Sequence, residues 1–163
     1  MYLANRTFAA LAAAAALALL AACGGSTNTP TAANSPSPSP APDVLAQAEP
    51  VAGQSMTILT DSKGMTLYLW KKDAGTGKVD CVAGCAAVWP PFVLPATSTK
   101  AVPGSGVTGA LTTLPNPEGK GQQVTYNGWP LYYFVKDTAP GDTKGQGVGG
   151  VWFVVPPDQA KNT

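Results

Sequence analysis

The feature that most constrains this chain is a segment that occurs twice. Gly64-Met65-Thr66-Leu67-Tyr68-Leu69-Trp70-Lys71-Lys72-Asp73 aligns without gaps on Gly128-Trp129-Pro130-Leu131-Tyr132-Tyr133-Phe134-Val135-Lys136-Asp137. Glycine, leucine, tyrosine, lysine and aspartate recur in place, and Phe134 stands where the first copy has Trp70. A repeat of this kind marks one supersecondary unit used twice, each unit too small to bury an apolar face alone.

Each copy reads as a β-hairpin. In the second, Gln122 to Tyr126 runs into Asn127-Gly128, two residues that tolerate positive φ, and Trp129 to Val135 returns. In the first, Met56 to Thr60 reaches the longer turn Asp61-Ser62-Lys63-Gly64 before Thr66 to Lys71 returns. Period-2 alternation puts Leu67 and Leu69 on one face and Tyr68 and Trp70 on the other, with Leu131 and Tyr133 opposing Tyr132 and Phe134. Both faces are apolar or aromatic, so both are expected to be covered. Pro130 cannot donate to a ladder and belongs at a strand start or an edge. Val151 to Val155 is a final strand stopped by Pro156-Pro157, and long helical periodicity is absent, leaving at most a helical turn between Cys81 and Trp89. The expected fold is all-β: a small single domain of two pseudo-symmetric hairpin repeats, about 55–95 and 121–157, within a domain of 55–157 followed by a tail at 158–163.

The start of the chain reads as an address. Arg6 and the amino terminus precede an Ala/Leu run, Phe8 to Leu20, too short to span roughly 30 Å of hydrocarbon as a stable helix. Leu20-Ala21-Ala22-Cys23 then resembles a bacterial lipobox, which makes 1–22 a leader and Cys23 the lipidated first residue. Acyl chains contribute roughly 0.8 kcal/mol per buried methylene to membrane attachment. Residues 23–54 are rich in Ser, Thr, Pro and Ala, with Ser35-Pro36-Ser37-Pro38-Ser39-Pro40 at the centre, and read as an unfolded tether. Gly24 is not the Asp that resembles an inner-membrane retention signal, so a double-membraned host could sort the protein to its outer membrane. Without Arg6 the basic residues, 10 in the full chain, equal the 9 acidic ones, which argues against nucleic acid as a partner. The membrane, through Cys23, and a cell-wall or envelope protein are the partners expected.

The Tyr-x-aromatic-x-x-Asp pattern occurs as Tyr68-Leu69-Trp70-Lys71-Lys72-Asp73 and as Tyr132-Tyr133-Phe134-Val135-Lys136-Asp137. With Cys81-x-x-x-Cys85-Ala86-Ala87-x-Trp89-Pro90-Pro91 and the closing Gly150 to Val155, it resembles the bacterial secreted-repeat lipoproteins of uncharacterised function. That resemblance covers the whole domain; it implies an extracytoplasmic location and no particular reaction.

Chemistry is narrowed by an absence. The chain has no histidine, which removes Ser-His-Asp and Cys-His constellations and the commonest transition-metal ligand. A non-catalytic protein without a cofactor is the reading that follows. Asp73 and Asp137 form a conceivable glycosidase pair, but each sits where a strand ends and a Gly-rich loop begins, where carboxylates accept backbone N–H bonds. The repeat-motif residues Tyr68, Trp70, Asp73, Tyr132, Phe134 and Asp137 are therefore read as structural.

Cys81 and Cys85 are an even pair in an oxidising compartment and read as a disulfide, with Gly84 permitting the distorted turn that i,i+4 bonding requires. The alternative is a copper or thiol-redox site, Cys81 and Cys85 with Met56 or Met65 suiting Cu(I). A second alternative is wall-glycan binding through Trp70, Trp89, Trp129 and Trp152, with Trp129 the one expected to be exposed. Calcium at Asp137 and Asp142 is weaker, because the loop lacks the required ligand spacing. The Gly141 to Gly150 loop, which matches Gly75 to Gly84 in length, has no phosphate-loop ending.

Overall fold

A computed structural model describes residues 43–163. The expected leader, Cys23 and the expected tether as far as residue 42 lie outside the described residues. Strands dominate, as an all-β chain requires: β1 (Val44–Val51), β2 (Gln54–Asp61), β3 (Tyr68–Trp70), β4 (Leu111–Pro115), β5 (Gln122–Tyr126), β6 (Trp129–Pro130) and β7 (Trp152–Val154). One short helix, α1 (Gly84–Val88), and 3-10 turns at Lys71–Asp73 and Val148–Gly150 complete the elements.

The tether expected over residues 23–54 is corrected at its far end. Residues 44–51 are β1, antiparallel to β2 from Val44 opposite Asp61 to Val51 opposite Gln54. The cause is at the ends: Val44 and Val51 are fully buried, and Ala52-Gly53, with φ of 49° and 82°, supplies the two positive-φ residues of a tight hairpin turn. Pro50 is tolerated because β1 lies at the edge of a two-stranded sheet.

The first hairpin is corrected accordingly. Its base forms, with the Asp61 N–H donating to Met65 O at 2.9 Å and the Leu67 N–H to Leu59 O at 3.0 Å. Asp61 Oδ1 tightens the turn by accepting the N–H groups of Lys63 and Met65. Beyond Leu67 the strands part, and β3 pairs with β7 instead: Tyr68, Leu69 and Trp70 face Val154, Phe153 and Trp152. The second hairpin is present and short, β5 against β6 across Asn127-Gly128 with φ of 50° and 86°. Pro130 lies in an edge strand, while β4, from the stretch between the repeats, pairs with the other side of β5.

The two repeats interleave. As β7, the closing strand of repeat two, lies on β3 of repeat one, so Val88 to Phe92 of repeat one lies on Leu131 to Val135 of repeat two. There the Val135 N–H donates to Val88 O at 3.1 Å, Tyr133 to Pro90 O at 2.8 Å and Phe92 to Leu131 O at 2.9 Å. At the centre Tyr68 and Tyr132 exchange both backbone bonds, at 2.9 and 3.0 Å, and mark the pseudo-twofold axis. Local hairpin chemistry could not show this, because the pairing joins residues far apart in sequence.

Alternation along the central strands sorts side chains into two cores. Leu67, Leu69 and Leu131 join Val44, Leu59, Phe92, Val124 and Val155 on one face, with Tyr133 against them. Tyr68, Tyr132 and Phe134 join Val51, Ile58, Trp89, Trp152 and Val154 on the other, with Trp70 alongside. The tail is tied down as well. The Asn162 N–H donates to Asn127 O at 2.8 Å, and its Oδ1 accepts the Gly75 N–H at 2.6 Å. Asn162 thus connects the tip of the second hairpin to the loop of the first repeat.

Candidate functional site: the axis where the motifs meet

Within each motif copy the chain turns between Tyr and Asp, through a 3-10 turn at Lys71–Asp73 and a turn closed by the Asp137 N–H on Phe134 O at 3.0 Å, and the two side chains of one copy do not bond to each other. They bond across the axis instead. Tyr68 Oη donates to Asp137 Oδ2 at 2.6 Å, and Tyr132 Oη donates to Asp73 Oδ2 at 2.8 Å. The second oxygen of each carboxylate accepts a loop N–H at the same position of each repeat, Asp80 to Asp73 Oδ1 at 3.2 Å and Lys144 to Asp137 Oδ1 at 3.0 Å. The motif therefore encodes a reciprocal bridge: the tyrosine of one repeat orders the loop of the other through that repeat's aspartate.

Burial shapes the electrostatics. Asp73 is fully buried, and loss of hydration pushes its carboxyl from 3.8 up to about 6 against the lowering effect of the Tyr132 and Asp80 hydrogen bonds. Burial also raises Asp137, which the Tyr68 phenol and the Lys144 amide and charge pull down again. The Tyr68 and Tyr132 phenols are driven well above their ordinary range by burial and by the carboxylates they face. A third such pair, Tyr133 Oη to Asp61 Oδ2 at 3.0 Å, anchors the first turn.

Aromatic rings fill the space beside the axis. Trp89 and Trp152, equivalent residues of the two repeats, stack at 3.9 Å between centroids with a 4° tilt. Trp70 continues the stack on Trp152 at 5.2 Å and Phe134 on Trp89 at 4.2 Å. Tyr68 meets Trp89 edge-on at 5.4 Å, and Tyr132 meets Trp152 likewise at 5.3 Å. Trp89, Trp152 and Phe134 are buried, and Trp70 is half-buried. The fourth tryptophan, Trp129, is only half-exposed because the tail lies by it, its indole N–H donating to Ala160 O at 3.0 Å.

Cys81 and Cys85 are joined in a disulfide with their Cα atoms 5.2 Å apart. The distortion this demands falls on Ala83, with φ of 52°, while Gly84 begins α1. In the disulfide neither sulfur is a thiolate, the form Cu(I) binds. Met56 is exposed on β2, and Met65 is half-buried at the first turn. Asp142 Oδ2 accepts the Thr138 and Ala139 N–H groups and the Lys144 ammonium at 2.7 Å. These donors, Lys144 first, hold its carboxyl down at about 2.

Among the described residues, clefts lie beside Asp80 and Leu114, beside Lys100 and Thr112, and beside Pro95 and Lys120; Asp80, whose amide meets Asp73, lines the first, and the motif side chains line none of the three. Sequence reasoning missed the loop amides of Asp80 and Lys144, Gly145 beneath the Tyr68 ring, and the buried Gln123, whose Nε2 donates to Leu131 O. One signal was available: a Tyr and an Asp repeated at equal spacing in two copies supply matched donors and acceptors that can be exchanged between copies.

Interleaved hairpins with exchanged Tyr–Asp bridges define a two-repeat all-β domain whose signature residues build the fold's own axis. The chain belongs to the family described as a secreted repeat of unknown function, whose pattern matches residues 53–93 and 116–156, half of the chain. That description places the family outside the cytosol. No curated protein and no solved structure matches the chain. Among the described residues, no helix is long and apolar enough to cross a membrane.

Proposed function

We propose that the chain is a non-catalytic component of the cell envelope, held to a membrane by acyl chains on Cys23 and presenting its β domain to a cell-wall or envelope protein. One observation carries the non-catalytic reading. The phenols and carboxylates that define the motif bond to one another across the axis, which commits them to holding the fold together. The absence of histidine supports it by removing the usual general base near neutral pH. The lipobox-like Leu20 to Cys23 supports the anchor, and the Ser/Pro stretch after it supports a stand-off from the bilayer.

Metabolic labelling with an alkyne fatty acid tests the anchor. The wild-type chain is expected to take up label and sediment with membranes, and Cys23→Ala to lose both. Equal labelling of the two chains, or a cytosolic wild-type protein with its leader uncut, overturns the anchor. Cross-linking on intact cells tests the partner: capture of a wall or envelope component by the wild type and by Cys81→Ser/Cys85→Ser alike fits a binding role independent of the cysteines.

A further inference from the structure

Aromatic pairs in protein interiors favour offset or edge-to-face contact, and here three successive near-parallel contacts line up. The column runs Trp70, Trp152, Trp89, Phe134, with tilts of 5°, 4° and 20°. Each central indole is touched edge-on by a motif tyrosine, and each of those tyrosines holds its O–H proton against a carboxylate oxygen at 2.6 or 2.8 Å. One oddity sits at the end of the column: the Trp70 indole N–H is buried and has no hydrogen-bond partner. An unpaired buried donor costs on the order of 1–3 kcal/mol and calls for an explanation.

We propose that this column is a one-electron relay, entered at Trp70 and ending on Tyr68 or Tyr132, with Asp137 or Asp73 as the proton acceptor. An outer-sphere one-electron oxidant takes an electron from Trp70 and is itself reduced by one electron. The Trp70 radical cation has no base at Nε1 to take its proton, so it stays charged and is refilled by an electron from Trp152, and that indole in turn from Trp89 or Tyr132. A tyrosine ends the sequence. It supplies the last electron, its O–H bond breaks, the proton goes to the facing Asp Oδ2, and a neutral phenoxyl radical stands beside a neutral carboxylic acid. Return of one electron from a reductant reverses both transfers. No other bond changes.

The entry point also selects the oxidant. Trp70 is the one ring of the column that is not fully buried, and Lys72 Nζ lies 5.5 Å from its centroid. That ammonium group favours an anionic oxidant over a cationic one. The inference is independent of the anchor and of any wall partner.

The test uses the chain from Cys23 onward and a photogenerated ruthenium oxidant, anionic with sulfonated phenanthroline ligands or cationic with bipyridines. Transient absorption and electron paramagnetic resonance separate indolyl from phenoxyl radicals. The wild type is expected to give phenoxyl radical that forms more slowly in D2O, and faster with the anionic oxidant than with the cationic one, a difference that salt removes. Trp70→Phe is expected to lose most of that signal, and Tyr68→Phe/Tyr132→Phe to leave an indolyl radical in its place. Phenoxyl yield unchanged in the double variant puts the radical on Tyr126 or Tyr133 and overturns the proposal. So does a yield indifferent to Trp70→Phe. Should the double variant fail to fold, absence of any deuterium effect in the wild type overturns it equally.

Discussion

At Asp73 the charge acting on the carboxyl is another carboxylate, Asp80, which raises it, whereas Asp137 is raised by Asp142 and lowered by the Lys144 ammonium. The loops behind them differ too. Repeat one ties its loop with Cys81–Cys85; in repeat two the position of Cys81 is taken by Gly145, and the loop is held by Asp142, which accepts backbone N–H groups and pairs with Lys144 at 2.7 Å. Both arrangements deliver a loop N–H to the same carboxylate oxygen. The strands keep their residues because they must bond across the axis, and the loops diverge because a covalent tie and a polar network serve equally to place one amide.

The largest expected effect tests whether the halves are equal at the axis. Trp89→Ala and Trp152→Ala should each lower stability by about 3–5 kcal/mol, since either removes a stacked ring and an edge contact. Urea denaturation giving unequal losses would break the symmetry of the core. Next comes an asymmetric site. A Cβ at Gly145 would stand 2.8 Å from the Tyr68 ring and 2.9 Å from Trp89, so Gly145→Ala should cost about 1–3 kcal/mol in the same assay. Its counterpart Cys81 already carries a side chain, and Cys81→Ala/Cys85→Ala should cost about 2 kcal/mol through loss of the loop constraint. Reducing agent should then lower the wild-type midpoint and leave that of the cysteine-free variant unmoved.

A pH series sharpens the contrast between the aspartates. Because the Asp73 carboxyl is raised from 3.8 to about 6 in the folded protein, its contribution to stability is fully present below about 3.8 and is lost as pH rises through about 6. Unfolding midpoints should therefore fall between pH 4 and 6 through this group, and Asp73→Asn should flatten that part of the curve. Asp137→Asn should flatten it less, because Lys144 offsets part of the burial there. The smallest effect expected is that of Asn162→Ala, about 1 kcal/mol, read as faster amide exchange at Gly75.

Much of this organisation was legible in the residues. The gapless repeat gave the pseudo-twofold, Asn127-Gly128 gave the second turn, and alternation around Tyr68 and Tyr132 sorted the two cores correctly. The β1 strand was hidden because Leu45 to Pro50 carries no β-branched residue and follows a proline run, so its composition reads as tether. Its pairing depends on Val44 and Val51, which bury their side chains only once β2 is in place. The departure of β3 from its hairpin to β7 was unreadable for a different reason: turn chemistry at Asp61 to Gly64 is local, and the competing partner lies at the far end of the chain. At the axis, the position of Asp73 and Asp137 before Gly-rich loops pointed to backbone acceptors, but their phenol donors come from the opposite repeat.

The exchange of closing strands has a consequence for any half of this molecule. Severed near Ala101, the first half keeps Val88 to Phe92 with nothing to lie on, and the second keeps β7 without β3. Each fragment offers the edge that the other lacks. Carrying both edges on one chain makes their meeting independent of concentration.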